Sequence, residues 1–249
     1  MQDDNETLTA LEPGALDSQN DAEEEKDFDG LPLTRRVAAQ IRDMIIEDRI
    51  QPGERIRERP LAETLNVSRT PLREALKLLE REKLIELRPN RGAVVTDPPA
   101  DEIRGLLEVL GALEGLAGQL AAMQGTDQQI AEIRALHYEM LAAYTRKDKL
   151  AYFKLNQLIH KGLVMMSGNT ALMEIHEQIN ARVYRARFKS NKKNDLWPDA
   201  IQQHEDIIDA LERRDGQVLG TILQRHLRST WVKFSNSNPA EASESQGSE

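Results

Sequence analysis

Apolar residues at helical spacing run through the second half of the chain and constrain its fold more than any other feature. From Asp101 to about Lys233, every long segment places apolar side chains three or four residues apart, as on one face of an α-helix. The breaks in this pattern lie near 125–126, 147–148, 168–169, 194–198 and 215–216. The spacing therefore predicts an all-α antiparallel bundle of about six helices over residues 98–233.

The composition agrees with a helical protein and excludes several kinds of chemistry. Aromatic residues make up only 4% of the 249 residues, which favours helices packed on aliphatic cores over a β-sandwich. The absence of cysteine excludes disulfides, thiol catalysis and cysteine-ligated zinc. There is no run of about 18 apolar residues and no apolar leader, so the sequence predicts a cytoplasmic protein without a membrane span.

Charge is distributed unevenly along the chain, whose net charge is −9. Residues 1–30 carry a net charge of −10, residues 31–97 of +3 and residues 98–249 of −2. Local charge decides where a polyanion binds, so segment 31–97 is the candidate. The acidic residues 1–30 and the Ser- and Glu-rich residues 234–249 have few large apolar groups to bury, which predicts disordered tails.

The basic segment has the pattern of a winged helix-turn-helix. Helical spacing predicts three helices, at 34–48, 60–65 and about 68–83. Two extended runs predict a β-hairpin, at 84–87 and 93–96. Asp97-Pro98-Pro99 then stops regular structure, and we predict the domain boundary there. The whole chain is thus predicted to be mainly α, with a DNA-binding domain over 31–97.

The third predicted helix is best suited to reading DNA. Its apolar stripe would pack on the other helices, leaving Arg69, Arg73 and Lys77 on one exposed face. Such a helix fits the major groove, where Arg bonds guanine edges, while hydroxyls at the helix start hold phosphates. The predicted DNA-binding residues are Arg59, Ser68, Arg69, Thr70, Arg73, Arg91 and Gly92. An ordinary solvated cationic face is the alternative.

The stretch from Pro52 to Val95 resembles the DNA-binding domain of the GntR family of bacterial regulators. The resemblance covers residues 33–96, and LAETLNVSRTPLREALKLLE is highly specific. It implies a transcriptional regulator that binds a double-stranded DNA operator and is not an enzyme. The family's contact positions correspond to Arg59, Ser68, Arg69, Thr70, Arg73 and Gly92. Helix-turn-helix proteins usually bind two half-sites, so we expect a homodimer.

Polar residues on core-facing stripes of the predicted bundle form a candidate metal site. They are Asn156, His160, His204 and His226. Three neutral imidazoles from different helices, with one oxygen ligand, suit a divalent metal such as zinc or nickel. Periodicity alone does not choose among five histidines, since His137 and His176 also border apolar stripes. A hydrogen-bonded core histidine is the alternative for each.

Residues 100–232 resemble the helical FCD effector domain of FadR-like regulators. That pattern has Asp or Asn four residues before a His, followed by two His on the last two helices. It implies that Asn156 and the three histidines hold a metal, and that a small carboxylate is the effector. Asn156 replaces the Asp of many members, which favours weaker metal binding.

A second departure from the FCD pattern concerns the effector. Leu110 stands where many members carry an Arg that holds the effector carboxylate. We therefore predict Arg182 and Arg185 as effector-binding residues, with surface salt bridges as their alternative.

Two other functions remain open from the sequence. A metal with an open position activates water, so the helical domain could be a hydrolase. Against this, no nucleophile motif is present, and Glu205 points about 100° away from its neighbour His204 on a helix. An architectural DNA-binding protein with an inert dimerisation domain is the other alternative.

Overall fold

The order of helices and strands follows the sequence prediction, in a computed structural model that describes residues 32–88, 92–190 and 197–237. The N-terminal elements are α1 (Leu33–Ile46), β1 (Arg55–Ile56), α2 (Glu58–Leu65), α3 (Arg69–Arg81), β2 (Ile85–Arg88) and β3 (Gly92–Val95). The C-terminal elements are α4 (Ala100–Gln124), α5 (Asp127–Thr145), α6 (Lys149–Met166), α7 (Thr170–Ser190), α8 (Trp197–Glu212) and α9 (Gly216–Ser237). The mainly α fold class is confirmed, with six helices after the winged helix-turn-helix among the described residues.

The N-terminal domain packs α1 against α3 and carries a small antiparallel sheet. Ile41, Ile45 and Leu72 are completely buried in its apolar core. The strand order is β1-β3-β2, so the predicted hairpin gains a third strand. This strand has only two residues, of which Ile56 alone is buried, so alternation could not reveal it.

Three helix boundaries differ from the prediction for local reasons. α1 ends at Ile46 and not at Asp48, which has a left-handed φ of 61°. α3 ends at Arg81 for the same reason, because Lys83 has a φ of 59°. α2 begins two residues before Pro60, since the first turn of a helix tolerates proline.

Helix α4 is the core helix of the C-terminal bundle. By length and composition it is apolar enough to cross a membrane, but half of that window is buried inside the bundle. It lies very close to α9, because a Cβ added to Gly118 would stand 2.5 Å from Cδ1 of Leu223. α9 runs to Ser237, past the predicted end at 233, because Phe234 is buried. Residues 1–31 and 238–249, which hold most of the predicted tails, lie outside the described residues.

A small aromatic cluster joins the two domains. Ile46 at the end of α1 is completely buried against Phe153 of α6 and Phe188 of α7. The two phenyl rings meet edge to face, with centroids 5.2 Å apart. Ion pairs flank these rings, from Asp48 to Arg185 at 2.6 Å and from Asp43 to Lys154 at 2.5 Å. We call Ile46, Phe153 and Phe188 the interdomain joint.

Candidate functional site

Helix α3 presents a polar face opposite its buried stripe. Arg69, Thr70 and Arg73 are exposed, whereas the stripe is fully covered. The stripe consists of Leu72, Ala75, Leu76 and Leu79. Ser68 occupies the N-cap position, but its hydroxyl makes no capping hydrogen bond. The hydroxyl and the first N–H groups of α3 therefore suit an anion such as a phosphate.

Helix α2 and the wing adjoin this face. A shallow groove is lined by Arg59, Ser68 and Arg69, among others. Nε of Arg73 donates to Oε2 of Glu58 at 2.9 Å, which fixes α3 beside the start of α2. Gly92 has a φ of +72°, a conformation that favours glycine. Arg91, predicted at the wing tip, lies outside the described residues.

A small cavity in the bundle is lined by residues from α6, α7, α8 and α9. Its lining consists of Tyr152, Asn156, Arg187, Ser190, Ala200, His204, His226, Thr230 and Lys233. One nitrogen from each of His160, His204 and His226 lies within 4.8 Å of the other two. The free space holds about one water-sized guest. The structure thus brings together all four predicted metal-binding residues.

The three imidazole rings are spaced for a shared ligand. Their centroids lie 5.4 Å apart for His160 and His204, 5.1 Å for His160 and His226, and 4.9 Å for His204 and His226. Two imidazole nitrogens on one tetrahedral zinc are about 3.4 Å apart, since each Zn–N bond is about 2.0–2.1 Å. The histidine nitrogens lie within 4.8 Å of one another, so metal binding requires them to move closer together.

Two neighbouring residues orient these rings. Nδ1 of His160 lies 2.6 Å from a carboxylate oxygen of Glu114, which only accepts, so Nδ1 carries the proton. Nδ1 of His226 lies 2.8 Å from Oε1 of Gln203 in the same way. In each ring Nε2 therefore keeps its lone pair, as in the carboxylate–histidine arrangement that supports metal ligands.

Several polar atoms of this site are buried without a partner among the described residues. They are Oδ1 of Asn156, Nε2 of His160 and both ring nitrogens of His204. Leaving a buried polar atom unpaired costs about 1–3 kcal/mol, so a ligand that paired with these atoms would be favoured here. Burial lowers the pKa of His204 and of His226 well below the ordinary value, so both rings are neutral donors. Oxygen and neutral nitrogen donors fit a divalent metal.

A buried ion pair lies beside the histidines. Nη1 of Arg187 lies 3.2 Å from Oε1 of Glu114 and donates to Oδ1 of Asn180 at 2.6 Å. Burial by itself would raise the pKa of Glu114, but the attraction of His160 and Arg187 holds it well below its ordinary value. Nη2 of Arg187 is buried without a partner among the described residues. One N–H group of a charged side chain is thus available at the cavity.

Both parts of the chain match known protein families. Residues 33–95 match the family described as bacterial regulatory proteins, gntR family, and residues 105–229 match the FCD domain. The chain belongs to the GntR family of transcriptional regulators. Its C-terminal domain is an FCD effector-binding domain.

Relatives of this GntR regulator are regulators too. The HTH-type transcriptional repressor RspR of Escherichia coli K12 is 27% identical over 197 residues, which cover 79% of this chain and 86% of RspR. The Nta operon transcriptional regulator of Aminobacter aminovorans is 31% identical over 188 residues, covering 74% and 86%. The solved structure of E. coli McbR/YncC has the same fold, with a TM-score of 0.70 at 21% identity over 83% of this chain and 98% of that one. The regulator is therefore not an enzyme, as its sequence predicted.

The two predicted effector-binding arginines lie away from the histidine cavity of the GntR regulator. Arg182 forms an ion pair with Glu102 of α4, and Arg185 forms one with Asp48 after α1. Neither residue lines the cavity. The Arg182 pair is a surface salt bridge, which the sequence left as the alternative. The Arg185 pair is largely buried and joins the FCD domain to the DNA-binding domain.

Sequence reasoning missed Glu114, Arg187 and Lys233 in the GntR regulator. Residues 186–190 are all buried, so the end of α7 has no polar face from which periodicity could place Arg187. Glu114 did carry a signal, because it is the only charged residue between 109 and 124. A lone acid in an apolar helix needs a buried partner, which here is Arg187.

Proposed function

We propose that this GntR regulator binds a palindromic operator through α3 and the wing, and that a divalent metal and a small carboxylate in the FCD cavity control its affinity for DNA. The observation that carries the proposal is a set of buried polar atoms that have no hydrogen-bond partner among the described residues. Asn156, His204 and Arg187 carry such atoms and line one cavity, and His160 carries another next to His204. Because the proposed operator is chromosomal, we propose that the regulator acts in the cytoplasm.

The donor set favours zinc or nickel with an anionic co-ligand. Three neutral imidazoles and the amide of Asn156 supply no negative charge, so the full charge of a divalent ion stays uncompensated. Bound there, the metal would supply a positive charge and an open position for a carboxylate. Glu114 does not offset that charge, since it is already paired with Arg187.

Arg187 and Lys233 are the candidate anchors for the acid. Both line the cavity, and Nη2 of Arg187 has no partner among the described residues. Guanidinium groups bind carboxylates through parallel hydrogen bonds. An organic acid is larger than the water-sized free space, so its binding requires the cavity to widen. A ligand that fits only the wider form shifts the population towards that form.

The interdomain joint gives this shift a route to the DNA-binding domain. Phe153 follows Tyr152 in α6, and Phe188 follows Arg187 in α7, so each aromatic ring is adjacent in the chain to a cavity-lining residue. Ile46 of α1 packs in the same buried cluster as these rings. Displacement of α6 or α7 on ligand binding would therefore move α1 and reorient α3.

Ligand binding is testable through thermal unfolding. Zinc or nickel at about 100 times its Kd should stabilise the protein by about 2.7 kcal/mol, which raises Tm by roughly 5–10 °C. His204→Ala should abolish this rise, whereas His137→Ala, which removes a buried imidazole outside the donor set, should keep it. A library of small carboxylates should then stabilise the metal-loaded protein further and change operator affinity. Absence of metal from the purified protein, with no rise in Tm on adding it, would contradict the metal site.

Asn156→Asp tests the same site by adding a negative charge to one ligand instead of removing a ligand. The added charge should tighten metal binding and weaken acid binding, because a carboxylate ligand compensates part of the ionic charge. Isothermal titration with zinc, and then with the stabilising acid, measures both effects. Equal affinities in the two proteins would show that residue 156 does not contribute a ligand.

We also propose that a second copy of the chain packs on α4. Three large apolar residues lie seven positions apart on its outer face: Val109, Leu116 and Met123 are 48%, 43% and 76% exposed. Ala112 continues the same face. A repeat of seven is the spacing at which one helix packs along another. A second copy related by two-fold symmetry at this face would provide the two DNA-binding domains that a palindromic operator requires.

Leu116→Glu should convert the dimer into a monomer, because it places a charge in the middle of an apolar interface. Light scattering after size exclusion should give twice 28.2 kDa for the unmodified chain and 28.2 kDa for the variant. Leu158→Glu is the matched control, since Leu158 is an equally exposed leucine (49%) on α6. Dissociation of both variants, or of neither, would remove α4 as the interface.

A further inference from the structure

The segment Arg55–Arg57 links the helix proposed to read DNA to the wing. At one end, Glu58 follows directly and bonds Arg73 of α3 at 2.9 Å. At the other end, Arg55 pairs with Val94 of the wing strand β3. The guanidinium of Arg55 also lies against Gly92, where an added Cβ would stand 3.8 Å from its Nε. The segment therefore occupies the surface between α3 and the wing.

The two arginines of this segment are exposed, and neither forms an ion pair within the described part of the chain. Arg55 and Arg57 flank the buried Ile56, so both side chains leave the same side of the extended backbone. Neither forms a salt bridge with any residue of the described ranges, in contrast to Arg59, which pairs with Glu63. The adjacent acids have other partners, since Glu58 binds Arg73 and Glu54 accepts from the N–H of Gln51. Two exposed guanidinium groups thus lie two residues apart on one side of the strand.

A docked duplex would bring phosphates to this surface. With α3 in the major groove and the wing at the next minor groove, one sugar–phosphate strand must run between them. We propose that Arg55 and Arg57 bind the phosphates of that intervening strand. The assignment rests on the proposed roles of α3 and the wing. Such contacts hold the DNA-binding domain in register without reading the base sequence.

The salt dependence of binding tests this assignment. Each lost phosphate contact lowers the slope of log K against log salt concentration by about 0.9, so Arg55→Gln/Arg57→Gln should lower it by about 1.8. From 50 to 200 mM salt, the double variant should then lose roughly tenfold less affinity than the unmodified protein. The decrease in slope should be equal for two duplexes, one selected by the protein from a random pool and one with a scrambled sequence. Fluorescence anisotropy measures binding to both.

Two control variants separate charge from fold. Arg81→Gln makes the same change on an exposed residue of the same domain, in the groove that faces α7, and should keep the original slope. Arg55→Lys/Arg57→Lys should also keep the slope, because an ammonium group binds phosphate as a point charge. An unchanged slope in the Gln variant would overturn the inference, and so would a loss confined to the selected duplex. Absence of any salt-dependent binding by the unmodified protein would instead overturn the proposed DNA binding itself.

Discussion

Replacing Glu114 with Gln should lower the free energy of unfolding by about 3–5 kcal/mol. Glu114 and Arg187 are 1% exposed, so the substitution leaves a guanidinium charge in the bundle without its counter-charge. Breaking one side of a buried ion pair costs more than the pair itself contributes, because the remaining charge is not solvated. Chemical denaturation followed by circular dichroism measures the change.

Removing both charges should restore most of that stability. Glu114→Gln/Arg187→Met leaves no unpaired charge, and buried ion pairs are often replaceable by apolar groups at little cost. Glu102→Gln is the surface control: it breaks the exposed pair with Arg182 and should cost about 0–1 kcal/mol. If Glu114→Gln unfolds like the unmodified protein, Glu114 is not the counter-charge of Arg187.

Replacing Arg69 or Arg73 with Ala should weaken binding to the selected operator by roughly fivefold to 150-fold each. A bidentate contact from Arg to a guanine edge contributes about 1–3 kcal/mol of discrimination. Affinity for a scrambled duplex should fall far less, so the specificity ratio should collapse. Anisotropy titrations on the two duplexes at a single salt concentration measure this ratio.

Both variants should keep the fold, since both side chains are exposed. Thermal unfolding of Arg69→Ala should match that of the unmodified protein, and Arg73→Ala should lose at most about 1 kcal/mol with its exposed ion pair to Glu58. Arg104→Ala on α4 removes an exposed arginine that pairs with Glu108, and should leave both affinities unchanged. A specificity ratio that survives in both α3 variants would exclude α3 as the reading helix.

The sequence predicted most of the fold because helical spacing and turn residues are local signals. The exception in the N-terminal domain, β1, has only one buried residue and therefore no pattern. The ends of α1 and α3 depend on the left-handed backbone conformations of Asp48 and Lys83, which spacing does not reveal. Such details follow from tertiary contacts, not from periodicity.

The candidate metal site was predictable only in part, for a different reason. Asn156, His160, His204 and His226 lie on apolar stripes, so their position inside the bundle follows from spacing and from family resemblance. Arg187 lies where α7 is covered on every side, and its role depends on Glu114, 73 residues earlier in the chain. Pairing over that separation cannot be read from one sequence, and the choice of Arg182 and Arg185 as effector residues reflects this.

The interdomain joint limits how this regulator can be recombined with others. Ile46 belongs to the DNA-binding domain in sequence, yet it is a core residue of the contact with Phe153 and Phe188. If the proposed coupling through the joint holds, a new pairing of DNA-binding domain and FCD domain requires compatible residues at the joint as well as in the two sites.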